Sequence, residues 1–211
     1  MNKNIDYSLY VVTDRNIMSS ESIEKSVELA IKGGATIIQL RENSIEDREF
    51  YNLAVSVKLI TDKYDIPLII NNRIDIALAV NAAGVHVGQQ DIPADIVRKI
   101  IGENKLLGVS ARNLEEAINA VENGADYLGI GAMYETAVKT DAVLVSMGEL
   151  ENIRQNVEKP IVVIGGINEY TLPDFDKTGI DGIAVVSAVV GAEDVMLAAN
   201  RMYKRFLKGQ E

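Results

Sequence analysis

The feature that most limits how this chain can fold is a recurring unit in which a helix ends on glycine and leads into a short apolar run. It appears as Gly33-Gly34-Ala35-Thr36-Ile37-Ile38, Ala82-Ala83-Gly84-Val85-His86-Val87, Asn123-Gly124-Ala125-Asp126-Tyr127-Leu128 and Thr178-Gly179-Ile180-Asp181-Gly182-Ile183. Short apolar, β-branched runs suit strands buried on both faces, as in a parallel sheet. The pattern between them has the spacing of amphipathic helices. Ile23, Val27, Ala30 and Ile31 recur in this way, and so do Phe50, Leu53, Ala54, Val57 and Ile60.

Taken in order, the chain predicts strands over 8–12, 36–40, 67–70, a brief one ending near His86, 105–109, 126–130, 161–164 and 182–186. Helix signals lie between them. Gly33-Gly34 forms a C-cap, Ser44-Ile45-Glu46-Asp47 opens a helix in capping-box style, and Pro93 starts another. Asn113 caps the next, 146–157 is helical, a short helix follows Asn168, and the last helix covers 194–207. Eight strand-then-helix units without a Pro/Gly/Ser-rich linker read as one (β/α)₈ TIM barrel domain over residues 1–211. An open doubly wound sheet is the alternative. It more often carries a glycine-rich first turn, whereas the first strand here ends Thr13-Asp14-Arg15.

Composition narrows the function. A net charge of −10 without a basic run argues against a nucleic-acid surface, and aromatics at 5% with no Trp argue against a stacking platform. No apolar run is long enough for a membrane span, and the first residues lack a signal-peptide core, so a cytoplasmic location is expected. The absence of Cys removes thiolate nucleophiles and thiolate metal sites, and a single His leaves no Ser-His-Asp set. A homo-oligomer is compatible with the sequence.

In a barrel, chemistry belongs at the C-terminal ends of the strands. Those ends carry Asp14 and Arg15, then Gln39, Arg41 and Glu42, then Asn71 and Asn72, then His86 and Asp91. Ser110 follows, then Thr136 and Lys139 in the long stretch 132–145, then Gly165 and Gly166, then Val186 and Ser187. Such donors suit phosphate-bearing groups, and Asp91 suits a hard cation. The small residues after the last two strands leave backbone N–H groups for an anion, although Gly165-Gly166 would equally serve a tight turn. Arg41 and Glu42 would equally form a surface ion pair. His86, on an apolar strand, reads as a packed, hydrogen-bonded histidine rather than a base.

These residues carry a resemblance. Gln39-Leu40-Arg41-Glu42-Asn43, the Ile69–Ala77 stretch, Val85-His86-Val87-Gly88-Gln89-Gln90-Asp91 and Leu107-Gly108-Val109-Ser110-Ala111 are similar to thiamine-phosphate synthases. Residues 129–142, 163–167 and 185–188 continue the likeness along nearly the whole chain. The resemblance implies a TIM barrel that couples hydroxymethylpyrimidine pyrophosphate to thiazole phosphate with Mg²⁺. It implies that Gln39 and Asn71 bind the pyrimidine side and that Arg41, Ser110 and Lys139 hold the pyrophosphate and act in catalysis. Asn43 and Val138 fall at substrate-binding positions, Asp91 and Asn72 at metal positions. Thr136 would approach the thiazole phosphate, with Gly166, Val186 and Ser187 around it.

The chain departs from the family pattern at several positions. Asn43 stands for a usual Lys, Asn72 for a metal-binding Asp, Val138 for Thr, and Ala132 and Glu135 for prolines. An amide is a poorer Mg²⁺ ligand than a carboxylate, so the pyrophosphate–metal end is altered while its formal charge is not. The related thiazole tautomerases share the barrel, but Arg112 occupies the position of their catalytic histidine. A non-catalytic phosphate-ligand barrel is the remaining alternative.

Overall fold

In the computed structural model, which describes residues 5–42, 45–136 and 143–211, eight parallel strands close into a barrel in chain order. They are β1 (Leu9–Val12), β2 (Ile37–Leu40), β3 (Leu68–Asn71), β4 (Gly84–Val87), β5 (Leu106–Ala111), β6 (Tyr127–Ile130), β7 (Ile161–Ile164) and β8 (Gly182–Val185). Pairing of Tyr10 with Ala184 between β1 and β8 completes the ring. Around it lie α1 (Ile23–Gly33), α2 (Asp47–Lys63), α3 (Ile74–Ala79), α4 (Ala94–Ile101), α5 (Leu114–Glu122) and α6 (Met147–Asn156), followed after β8 by α7 (Ser187–Val190) and α8 (Val195–Gln210). The expected (β/α)₈ architecture is therefore the observed one.

Helix ends follow local chemistry. Ser22, Asn113, Ser146 and Asp194 each accept a backbone N–H from the first turn of their helix, satisfying a donor that the helix itself cannot. Gly34 ends α1 at φ 113°, a conformation that a side chain would strain. Of the capping box expected at the start of α2, only Ile45, Glu46 and Asp47 fall among the described residues. That helix opens after Glu46 without a side-chain cap bond, and Ser44 lies outside the described residues. The short helix expected after Asn168 is a single 3₁₀ turn, Leu172–Phe175. The four-residue α7 was not expected, because a run of four residues is too short to show periodicity.

Because successive strand residues face opposite sides, each strand serves two cores. Leu9, Val11, Ile38, Leu40, Ile70, Val85, Leu107, Leu128 and Val163 pack with the helices. Tyr10, Val12, Ile37, Ile69, Tyr127, Val162 and Ala184 form a separate cluster, with Tyr7. Tyr127 is fully buried and stacks obliquely against Tyr7 and Tyr10, with ring centres 5.2 and 5.9 Å apart. These rings fit because Gly108 on the neighbouring strand has no side chain. A Cβ there would lie 2.2 Å from Tyr127 Cζ and 2.4 Å from His86 Nδ1.

His86 occupies the same interior. Its ring nitrogens meet the hydroxyls of Tyr127 at 3.1 Å and Ser110 at 2.9 Å. Burial without an acidic partner pushes its pKa down to about 4.

Two outcomes follow from this packing. Gly108→Ala should destabilise the fold by about 1–3 kcal/mol, read as a lower urea midpoint at unchanged slope. His86 stays neutral in the folded chain while the unfolded chain binds a proton below about pH 6.5, so stability falls as pH drops from there toward 4. Between pH 7 and 4.5 the parent should lose about 2 kcal/mol more than a His86→Gln variant in parallel urea titrations, allowing for the part of the ring that solvent reaches.

Candidate functional site at the barrel mouth

The C-terminal strand ends bring most of the expected residues around one mouth. Gln39, 5% exposed, ends the inward face of β2 and donates through Nε2 to the Tyr10 hydroxyl at 2.7 Å. Arg41 follows two residues later, and its Nη1 lies 2.8 Å from Asp14 Oδ2. Its backbone N–H bonds to Thr13 Oγ1, which ties the ends of β1 and β2 together. The surface pair of Arg41 with Glu42 does not form. Glu42 instead meets Arg15 at 3.2 Å, and burial pushes its carboxyl above the usual range despite that cation.

Asn71 closes β3 opposite His86 on β4. Asn72 adopts φ 60°, and its N–H bonds to the His86 carbonyl at 2.9 Å. Asn is among the residues that tolerate this left-handed conformation best. After β4, Asp91 folds back on a tight turn in which its Oδ2 accepts the Gly88 N–H at 2.7 Å. It does not cap α4, whose N-cap is Pro93. Gln89 Nε2 crosses to the Ser110 carbonyl at 2.7 Å, joining this turn to the end of β5.

On the opposite side, Gly165 and Gly166 both have positive φ, 96° and 67°. The Gly166 carbonyl accepts bonds from Asn168 Nδ2 and Thr171 Oγ1, both at 3.0 Å, which ties it to the segment that follows β7. A Cβ on Gly166 would lie 2.6 Å from Tyr134 Cβ and 2.8 Å from the Glu135 carbonyl. The glycine pair is thus also a packing requirement of the segment after β6, so a bulky side chain there would disturb that segment as well as any anion. Val186 caps α7, and exposed Ser187 is its first residue. The first N–H groups of a helix have no partner within it. Thr136 is partly buried at the end of the described part of the β6–α6 connection. Asn43, Val138 and Lys139 lie outside the described residues.

Among the described residues there is no cluster of three or more His, Asp or Glu side chains able to hold a metal. Asp91 and Asn72 follow adjacent strands and offer only oxygen ligands from their side-chain carboxylate and amide carbonyl. Mg²⁺ keeps several waters and is usually held by one or two carboxylates together with substrate phosphates. The donor set therefore fits a Mg²⁺ ion that arrives with a phosphorylated ligand. It does not fit one caged by protein alone.

Sequence reasoning passed over Tyr10 and Tyr127. Neither was a candidate residue, yet their hydroxyls are 2.8 Å apart and link Gln39 to His86 and Ser110. The signal that could have found them is the pair Gly108 and Gly129, small residues at inward positions beside a histidine. A Cβ on Gly129 would lie 3.0 Å from His86 Cε1.

Residues 9–189 match the family model described as thiamine monophosphate synthase. The chain is 60% identical over 208 residues to the thiamine-phosphate synthase of Clostridium beijerinckii, covering 99% of this chain and 100% of that protein. It is 53% identical over 207 residues to the one from Ruminiclostridium cellulolyticum, covering 98% and 99%. Among solved structures, thiamine phosphate pyrophosphorylase from Pyrococcus furiosus superposes with a TM-score of 0.90 at 39% identity, covering 98% of each chain. 3-Hexulose-6-phosphate synthase, at 20% identity and a TM-score of 0.68, shares the fold alone. With its strand ends ordered as above and these relatives matched along their full length, the chain belongs to the thiamine monophosphate synthase family of transferases.

Proposed function

We propose that the chain couples hydroxymethylpyrimidine pyrophosphate to thiazole phosphate, giving thiamine phosphate and pyrophosphate. The observation that carries this reading is the arrival of Gln39, Arg41, Asn71, Asp91 and Ser110 at neighbouring strand ends in a chain of this family. Gln39 and Asn71 bind the pyrimidine. Arg41, fixed by Asp14, holds the pyrophosphate together with Ser110 and Lys139. Asn43 and Val138 take up the remaining substrate-binding positions. Thr136, Gly166, Val186 and Ser187 receive the thiazole phosphate, largely through backbone N–H groups at the start of α7 and after β7.

In the reaction, the C–O bond to pyrophosphate breaks and its electron pair leaves with the phosphate oxygen. The thiazole nitrogen lone pair then forms the new C–N bond to the benzylic-type cation. Arg41 and Lys139 stabilise the charge that builds on the leaving group. Asp91 and Asn72 would hold Mg²⁺, which when bound supplies further neutralisation of pyrophosphate. The buried floor of tyrosines and aliphatic side chains limits water, so that the nitrogen rather than water captures the cation. A tautomerase reading is disfavoured by Arg112, which donates to both oxygens of Glu116 on α5 and offers no imidazole.

The direct test is to incubate pure protein with both substrates and Mg²⁺ and measure thiamine phosphate and released pyrophosphate in equal amounts. No product above background, with ligand binding intact, rejects the synthase reading in favour of a binding role. The metal end gives a second outcome. Asp also tolerates the left-handed backbone that Asn72 adopts, so Asn72→Asp adds a carboxylate without new strain. It should lower the Mg²⁺ concentration for half-maximal activity several-fold, and an unchanged requirement would place residue 72 away from the metal.

A further inference from the structure

Five polar side chains cross the barrel interior in one hydrogen-bonded line. Gln39 Nε2 lies 2.7 Å from Tyr10 Oη, which is 2.8 Å from Tyr127 Oη. Tyr127 Oη is 3.1 Å from His86 Nδ1, and His86 Nε2 is 2.9 Å from Ser110 Oγ. Gln39 and Ser110, at its two ends, are residues placed above on the pyrimidine and on the pyrophosphate. The three between them touch neither substrate in that scheme. The interior makes room for them, since a Cβ at Gly108 would strike Tyr127 and His86, and one at Gly129 would press on His86.

Counting hydrogens gives the line a direction. Each tyrosine hydroxyl has one hydrogen, and a neutral imidazole has one N–H and one bare nitrogen. With Gln39 donating to Tyr10, the Tyr10 hydrogen must go to Tyr127, the only other polar group that bonds its hydroxyl among the described residues. Tyr127 then donates to Nδ1 of His86, and Nε2–H donates to Ser110. With Gln39 donating, reversing any later link would leave one buried tyrosine hydroxyl hydrogen without an acceptor.

We propose that Tyr10, Tyr127 and His86 are positioning residues that form a polarised relay, fixing Gln39 Oε1 as an acceptor and the Ser110 hydroxyl as a donor at the same time. Ser110 accepts from His86, so its own hydrogen is left to give to an anionic oxygen. Gln39 uses one amide hydrogen internally, which turns its carbonyl oxygen toward the ligand. The site then selects a heterocycle that brings an N–H donor, such as a ring amino group, and a phosphate oxygen acceptor in one molecule. A ring carbonyl in place of the amino group would face Oε1 with a second acceptor. Accepting it would require reversing all four links. The identity of these ligands rests on the synthase reading, whereas the relay itself does not.

The chain has a single histidine, so ¹⁵N-histidine labelling reports His86 alone. The parent should show the neutral Nε2–H tautomer at pH 7.5, free and with inorganic pyrophosphate and Mg²⁺. Tyr127→Phe, which removes the donor to Nδ1, should give a mixture of tautomers. An Nδ1–H tautomer in the parent overturns the proposed direction whether or not the protein makes thiamine phosphate. The coupling is read by calorimetric binding of the pyrimidine pyrophosphate in a Gln39→Ala, Ser110→Ala double-mutant cycle. The two losses should be non-additive by about fivefold in the parent and additive in Tyr127→Phe. Tyr10→Phe, which breaks a different link, should behave the same way and replaces Tyr127→Phe if that variant does not fold. Additive losses in the parent, or coupling that survives both phenylalanines, overturn the relay.

Discussion

Closure of eight parallel strands is the constraint on which the rest of the molecule depends. A closed ring has no edge, so the inward or outward sense of every strand residue is fixed by its neighbours on both sides. Once Tyr10 faces inward, its register partners Ile37 and Ala184 do as well. Two steps further along the strands the same alternation brings Gln39 and Val186 to the mouth, and it turns His86 and Ser110 inward on β4 and β5. The candidate site is thus the top of the same stack of side chains that forms the interior core. Its residues inherit their direction from the barrel and need no separate local device.

This continuity makes the interior unusually polar at one level. Most of the enclosed residues are aliphatic or aromatic, yet three hydroxyls, one amide and one imidazole meet there. Such groups are tolerated only when each is hydrogen-bonded, because leaving a buried polar atom unpaired costs more than a hydrogen bond contributes on balance. Burial also keeps the imidazole neutral, holding it to one donor and one acceptor. Small residues on β5 and β6 keep this level from being overfilled.

The charge balance is handled at the rim. The chain is strongly acidic overall, yet a phosphorylated ligand needs cations near it. Arg41 is held against Asp14, and Arg15 lies between Glu42 and Glu49. Pairing fixes these guanidiniums in place but also spends part of their charge on protein carboxylates. On the proposed function, Lys139 and a metal at Asp91 would supply charge that paired arginines do not, and the amide of Asn72 would leave that metal dependent more on phosphate oxygens than on protein ligands.

Much of this was legible in the residue order. The glycine-ended helices, the apolar runs and the caps at Asn113, Ser146 and Asp194 are local signals, set by backbone geometry and near-neighbour hydrogen bonds, so the barrel and most of its boundaries could be read without coordinates. Strand ends could be read too, which placed Gln39, Arg41, Asn71, Asp91 and Ser110 together. Partnership between distant segments could not be read. Sequence alone suggested Arg41 with Glu42, whereas the closed ring sets Arg41 against Asp14 and Glu42 against Arg15. It gave no reason to link Tyr10 with Tyr127, which are 117 residues apart. It suggested an anion or a tight turn at Gly166 but not the seat of Tyr134. Local signals act through the backbone within a few residues and are written in the sequence. Contacts across the barrel depend on which inward positions share a level, and only closure of the sheet decides that.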